Sequence, residues 1–482
     1  MGCRDDSAPG RLRRDMGLFS ATAVVVSNCA GAGIFITPTI IYMDAGSLAA
    51  DLLVWIGAGV ASLIHGLCIA ELGTMLPSAG GPYEYVSVGF ESMGRTGDIL
   101  SFLFAWSFLL ADPTIVALHG LTFSRYALGA VYDTCTPPHE VTVLVAVIVI
   151  ALSAVVNTFS LKTSMKIQNV LLVVKLGLLL AIVSTGIVWC VRTPTLLNKV
   201  SFKGHTTPGR VVEAFAVAIF AMAGSFMIAC MAEEMSSPSR ILPRSLLGGL
   251  LLMTALLVLT NFAYFVVLDH DAAISSEATA MTFGRVAWGA AGTFVAPVIV
   301  CFCSFAALSA TFLSNSRLFM AAARRKHLPA VFSLITVHSS LPVLAIVTRL
   351  FLAVLFTVTG SVGLLAKAAT TMYCFLTLLE TFAMIRLRLT MKDAERPFRA
   401  PVFVIVLNCV IFLTIFLAPI LGTGELVHYI MAFGCILLGF PAYVALKAFQ
   451  QSKALVPAQK FFQKLFLSVP CVSQDRMHAA RS

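Results

Sequence analysis

Two glycines, Gly31 and Gly33, interrupt the first apolar run of the 482-residue chain, in the segment Asn28-Cys29-Ala30-Gly31-Ala32-Gly33-Ile34-Phe35. Apolar residues flank it on both sides, from Met16 to Val26 and from Ile34 to Tyr42. A membrane helix that breaks at mid-depth leaves N–H and C=O groups that hydrocarbon cannot satisfy. Such a break survives only where the backbone lines a polar cavity or meets a ligand. The half-helix N-terminus beyond it carries partial positive charge and favours an anionic group. The chemistry expected at Asn28, Ala30, Gly31, Ala32 and Gly33 is therefore main-chain recognition of a small charged molecule.

A second interruption falls in Ile219-Phe220-Ala221-Met222-Ala223-Gly224-Ser225-Phe226-Met227. Alone, its small residues would read as a helix-packing face. Paired with the first break, Phe220, Ala221, Ala223 and Gly224 read as the facing wall of one site. Breaks at corresponding positions of two halves are the best sequence pointer to a binding site in secondary transporters. Lys175, in Val173-Val174-Lys175-Leu176-Gly177, lies too deep in its apolar run to reach either interface. Charges inside spans are expensive and usually functional. Its ammonium can stand where a coupling cation would, donating to carbonyls freed by the first break. A packed ion pair with Glu71, Asp112 or Glu380 is the alternative. The stretch Ser78-Ala79-Gly80-Gly81-Pro82-Tyr83-Glu84-Tyr85 predicts irregular backbone, either a short gating piece or an ordinary loop.

The elements that must position these residues are membrane helices. Hydrophobic residues make up 59% of the chain and charged residues 12%, about half the charge fraction of a soluble domain. A span needs roughly 20 apolar residues. Twelve are expected, near 17–43, 47–74, 98–128, 141–158, 165–191, 209–232, 242–268, 286–315, 341–358, 361–385, 401–419 and 427–448. The fold class is thus an all-α polytopic membrane protein. A short N-terminal segment, 1–16, precedes the twelve-helix domain, 17–448, and a tail, 449–482, follows it. The tail interleaves Lys453, Lys460 and Lys464 with Phe461, Phe462 and Phe466, as an amphipathic membrane-surface helix would.

The net charge of +10 does not point to nucleic acid. Most of the lysines and arginines fall on one side of the expected spans, including Arg11, Arg13, Arg14, Arg324, Arg325, Lys326 and the run from Arg386 to Arg399. That bias places both termini in the cytoplasm and accounts for the basic residues through topology and contact with anionic lipid. No cleavable leader is expected before the first span. No phosphate loop, zinc spacing or nucleophile triad emerges, so neither an enzyme nor a cofactor or metal site is expected. Most of the cysteines lie within spans, where they are small hydrophobes. Cys135 differs. It sits in the predicted external loop Tyr132-Asp133-Thr134-Cys135-Thr136-Pro137-Pro138, where an intermolecular disulfide is favoured over a free thiol.

Taken in order, these stretches resemble the amino acid–polyamine–organocation superfamily, above all the light subunits of its heteromeric amino acid transporters. The resemblance runs over roughly residues 17 to 445. It rests on Gly31-Ala32-Gly33-Ile34-Phe35 with Thr37-Pro38, Ala70-Glu71-Leu72-Gly73-Thr74, Gly80-Gly81-Pro82-Tyr83-Glu84-Tyr85 and Val156-Asn157. It also includes Glu233-Glu234-Met235 with Pro238, Arg240, Leu242 and Pro243, and Glu395-Arg396-Pro397. It implies an inverted five-plus-five core with discontinuous helices one and six, and sodium-independent exchange of amino acids across the plasma membrane. It further implies a disulfide from Cys135 to a single-pass heavy-chain glycoprotein. Lys175 matches a fifth-helix lysine that replaces a sodium ion. By the same resemblance Ala30 to Gly33 receive the substrate carboxylate, carbonyls near Phe220 and Ala221 receive the amino group, and Phe220 is the gate.

Departures bear on specificity. Ala223 stands where a carboxylate accompanies cationic substrates, so neutral amino acids are expected. Met222 and Ser225 replace aromatics, Ala32 replaces a frequent serine, and Asp112 stands where relatives often have a basic residue. Lys367 would admit an acidic substrate if it faced the pocket, though snorkelling to the interface is the simpler reading. Two rivals remain: a stand-alone proton-coupled or facilitative amino acid or polyamine carrier, and a non-transporting sensor or scaffold subunit.

Overall fold

The computed structural model describes residues 12, 14–29, 31, 33–132, 137–202, 204, 206–274, 276, 278–337, 341–360, 362–422, 426–450 and 455–470. Ala30, Ala32 and Cys135 lie outside them. The chain is helical nearly throughout. In order the helices are α1 (Leu18–Asn28), α2 (Gly33–Ala45), α3 (Leu48–Met75), α4 (Pro82–Phe90), α5 (Arg95–Tyr132), α6 (His139–Phe159) and α7 (Leu161–Arg192). After a 3-10 segment come α8 (Pro208–Ala221), α9 (Ser225–Ala229), α10 (Pro238–Val267), α11 (His270–Ile274), α12 (Thr279–Trp288) and α13 (Gly292–Arg324). The last are α14 (Val343–Thr359), α15 (Val362–Thr390), α16 (Val402–Gly422), α17 (Leu426–Leu437), α18 (Gly439–Gln450) and α19 (Leu455–Leu465). Among the described residues one two-stranded antiparallel sheet joins β1 (Leu334–Thr336) to β2 (Ser468–Pro470), which ties the segment after α19 to the turn after α13.

Local chemistry sets several starts. The Ser47 hydroxyl accepts from Ala50 N–H at the head of α3, and Thr207 does the same for Arg210 at the head of α8. Pro82, Pro208 and Pro238 open α4, α8 and α10, where the missing N–H costs nothing.

Among the described residues, nine helices are long and apolar enough to cross a membrane. The pair α1 and α2, bent by 44° at the break, makes a tenth, and α14 and the stretch Val402–Ala418 are shorter apolar helices. The expected span 286–315 is displaced. Gly289 takes a positive φ of 59°, a region that favours glycine. It ends α12 and lets α13 begin at Gly292 and run on to Arg324. Within the expected span 427–448, α17 gives way to α18 at Leu438. The expected loop 78–85 is a turn of two positive-φ glycines, Gly80 and Gly81, leading into the buried helix α4.

Lipid gives helices no hydrophobic reason to associate, so close packing and polar contacts hold the bundle together. Three ion pairs, two of them buried on both sides, do much of this. Asp112 on α5 takes Arg349 of α14 in a two-pronged contact, Nε to Oδ2 at 2.5 Å and a terminal nitrogen to Oδ1 at 2.9 Å. Asn315 of α13 adds a third bond at 2.6 Å, and the guanidinium lies 4.8 Å above the Phe312 ring. Both charged side chains are fully buried. Glu234 holds Arg317 at 2.6 and 3.1 Å. Glu71 holds Arg388 and the Ala400 N–H, with Arg396 3.5 Å away. These pairs also dispose of the ion-pair reading of Lys175, since Asp112 and Glu71 are engaged elsewhere and Glu380 stands beside His65.

Breaking a buried pair from one side strands a charge at a cost of about 3–5 kcal/mol, whereas replacing both partners is close to neutral. Arg349→Leu is therefore expected to lower the thermal unfolding temperature in detergent sharply. Asp112→Leu/Arg349→Leu is expected to recover most of the loss, as read by fluorescence-detected size exclusion after heating.

Candidate functional site

The two breaks lie against each other. α1 ends with Asn28, whose amide donates to the Val24 carbonyl at 2.9 Å. Its side-chain oxygen accepts from Thr311 of α13 at 3.2 Å. One residue earlier, the Ser27 carbonyl receives the Lys175 ammonium at 2.8 Å. Lys175, fully buried, thus satisfies part of the main chain next to the break. Beyond the break, the Thr37 hydroxyl donates to the Gly33 carbonyl at 2.7 Å, and Tyr126 of α5 donates to the Phe35 carbonyl at 2.7 Å.

The second break is a run of tight turns. Met222 N–H donates to the Ile219 carbonyl at 3.0 Å, Ala223 N–H to Phe220 at 3.2 Å, and Gly224 N–H to Met222 at 2.7 Å. The Met222 carbonyl also accepts from the Cys29 thiol at 3.6 Å. Glycine is required at both contacts. A Cβ on Gly33 would stand 2.5 Å from the Ala221 Cβ and 2.8 Å from its Cα, so it fits only if the main chain of α2 and α8 moves apart. A Cβ on Gly224 would overlap the Cys29 sulfur.

A narrow cavity of about 30 Å³ opens between the breaks. Of the residues expected from sequence, Asn28, Gly31, Gly33, Phe220, Ala221 and Ala223 line it. Gly224 and Lys175 do not line it; they stand behind it, one against Cys29 and the other on Ser27. The remaining walls are Ile115, Leu118, His119, Met227 and Thr311. His119 and Thr311 escaped the sequence reading, although a histidine and a threonine inside apolar helices are the available signal. A Cβ on Gly31 would run into the His119 ring. Lys367 is not among the cavity's residues; its charge acts on Asp44 at the end of α2. The cavity is of water scale, so an amino acid enters only if the surrounding helices part.

At the end of the bundle that carries Met16, a second network closes over the second break. Met16 N–H donates to the Glu234 carbonyl, and the Met16 carbonyl accepts from Ser236 N–H, both at 3.1 Å. Gly80 N–H donates to the Cys230 carbonyl at 3.1 Å, and Ala79 N–H to Glu233 at 2.9 Å. Glu84 accepts from Arg325 at 2.8 Å. Burial pushes the Glu84 carboxyl above its usual range, against the pull of Arg325. Tyr83, His327 and Asp98 form a chain. The tyrosine hydroxyl lies 2.6 Å from Nδ1, and Nε2 lies 2.7 Å from Oδ1 of Asp98. Tyr443 and Lys447 of α18 reach the other Asp98 oxygen at 2.6 and 2.9 Å. The stretch 78–85 thus bonds to residues that follow α9 and α13, and through His327 and Asp98 it is linked to α5 and α18.

Compared with known proteins, residues 16–441 match the amino acid permease family. The chain belongs to that family. This permease is 30% identical over 467 residues to the mouse b(0,+)-type amino acid transporter 1, covering 95% of the chain and 94% of the relative. The rat protein of the same name is 31% identical over the same length. The mouse large neutral amino acids transporter small subunit 2 is 33% identical over 354 residues, 72% of this permease and 65% of that protein.

Two outcomes follow for the permease. Gly33→Val is expected to fold but to lose transport, since its Cβ must push α2 from α8; uptake alongside monodispersity on size exclusion separates the two. Burial pulls the His327 imidazole below its usual range, with Asp98 opposing. The closed network therefore holds fewer protons than a hydrated one, whose histidine titrates near ~6.5, and closure weakens as pH falls through about that value. Accessibility of a cysteine placed at Ser87 should rise from pH 7.5 to 5.5, and His327→Gln should flatten that rise.

Proposed function

We propose that this permease is a sodium-independent amino acid exchanger of the plasma membrane, working by alternating access. Counting the bent pair once and adding the two shorter apolar helices, we infer twelve spans around an inverted five-plus-five core, with both termini in the cytoplasm. The substrate carboxylate meets the main chain from Ala30 to Gly33, and the amino group meets carbonyls near Phe220 and Ala221. Phe220 closes over it. The observation that carries this reading is the apposition of two broken helices around one cavity, with the Lys175 ammonium on the main chain beside the first break. A fixed ammonium there supplies the positive charge that a bound sodium ion would otherwise bring.

Neutral amino acids are the first substrate class. No carboxylate lines the cavity among the described residues, which leaves nothing to hold a cationic side chain. A second reading, acidic side chains, is favoured by one observation: His119 faces the cavity and donates from both nitrogens when protonated. Cys135 would form the disulfide to a heavy-chain glycoprotein, as the resemblance to heteromeric light subunits implies.

The test is efflux from proteoliposomes loaded with labelled amino acid, prepared with and without a heavy chain, without sodium. Efflux that needs an external amino acid and vanishes in Gly33→Trp is expected, and the stimulating amino acids define the class. No amino-acid-dependent flux from folded protein in any of these conditions, or under a pH gradient, would favour a sensor or scaffold instead. Efflux without an external partner would favour a facilitative carrier.

A further inference from the structure

A polar cluster that the substrate site does not use lies behind the second break, between α3, α9 and α15. His65 on α3 is 1% exposed and Glu380 on α15 is 3% exposed, and His65 Nε2 stands 3.6 Å from Glu380 Oε2. Neither imidazole nitrogen and neither carboxylate oxygen has a hydrogen-bond partner among the described residues. The Tyr373 and Phe412 rings close over the imidazole, with centroids 6.2 and 5.5 Å away. Tyr373 also meets Phe226, in the first turn of α9, edge-on at 6.1 Å. The cluster therefore touches the element that the second break hinges.

The titratable groups around it are Cys68 on α3, Tyr85 on α4, Cys230 after α9, and Tyr373 and Cys374 on α15. All are neutral at physiological pH in their ordinary range, and Phe412 is the neighbour from α16. The full charges beyond them, Glu71 and Arg388, bind each other. They lie roughly 9 and 12 Å along their helices from His65 and Glu380, at 1.5 Å per residue.

A lone carboxylate cannot be held in such surroundings; a buried group either pairs or neutralises. The pair is neutral with one proton beyond the fully deprotonated form, whether that proton sits on the imidazole or on the carboxyl. Hydrated at pH 7, the same two side chains carry almost none, because in water glutamate titrates near ~4.3 and histidine near ~6.5. Burying the pair takes one proton from solvent, and hydrating it gives the proton back.

We propose that His65 and Glu380 form a proton-binding site, filled by one proton when the pair is buried as here and emptied when it is hydrated. The proton's part in the transport cycle rests on the exchanger reading above; the binding itself does not. Since Tyr373 links the pair to α9, a movement that opens the second break also hydrates the pair. Exchange through this conformation is then favoured on the acid side of about pH 6.5 by this site. His327, at the far network, acts in the opposite sense.

The test compares full-length wild type with Glu380→Gln, which keeps the side-chain volume and removes the proton. Thermal unfolding is followed from pH 5.5 to 8.5. The wild-type folding equilibrium should gain on the variant about tenfold for each unit of falling pH, one proton's worth. His327 and every other common group cancel in that ratio. Parallel curves would overturn the proposal. If Glu380→Gln does not fold, His65→Gln serves. Its proton has only Glu380 to occupy, so the infrared band of a protonated carboxyl should persist at pH 8, and a carboxylate band instead would overturn it. In proteoliposomes, exchange by wild type should fall from pH 6 to 8 more steeply than exchange by Glu380→Gln. Absence of exchange in both would sink the exchanger reading and leave the unfolding comparison standing. Exchange with parallel unfolding curves would sink the proton site alone.

Discussion

A main-chain group removed from water and left without a partner costs several kilocalories per mole in hydrocarbon, and this constraint governs the molecule. Two helices are interrupted in the middle of the bundle, and the surroundings are arranged to meet what the interruptions release. Lys175 takes the Ser27 carbonyl, Cys29 takes Met222, Tyr126 takes Phe35, and the tight turns from Ile219 to Gly224 satisfy one another. The donors come from α5 and α7 as well as from the broken helices themselves. The site is therefore a property of the whole bundle. Its polar capacity is local and limited, which suits a small zwitterion.

Charge inside the bundle follows the same logic. Asp112 with Arg349, Glu234 with Arg317, and Glu71 with Arg388 are each held by two or more bonds, and each joins helices far apart in sequence. Such pairs add little net stability over apolar packing but make wrong helix registers expensive. They mark the fixed part of the bundle. The pair His65 and Glu380 stands apart because it lacks those additional bonds, which sets its protons free to exchange.

Much of this was legible in the sequence. The glycines at 31 and 33 and the small residues from 221 to 224 marked the breaks, because few other sequences interrupt an apolar helix. The depth of Lys175 in its apolar run marked it as a buried donor. Less legible were His119 and Thr311, which reach the cavity from α5 and α13. Their sequence neighbours are apolar, and only the packing of α5 and α13 against each other and against Gly31 at the first break turns them inward. Arg349 was invisible for the same reason: its partner lies 237 residues away, and no local pattern pairs them. The break between α12 and α13 turned on the φ of Gly289, which hydropathy does not register.

Helix α5 touches every part of the mechanism. Asp98 near its start holds the Tyr83–His327 chain, Asp112 holds Arg349, His119 faces the cavity, and Tyr126 holds α2 beyond the break. From Asp98 to Tyr126 is 28 residues, about 42 Å at 1.5 Å per residue. Pro113 sits near the middle of that length, where its ring removes one helical bond. A rod latched at both ends and weakened at its centre behaves as a lever with a fulcrum. A tilt that releases the latch at one end loads the other, so one helix can keep the two ends of the pathway from opening together.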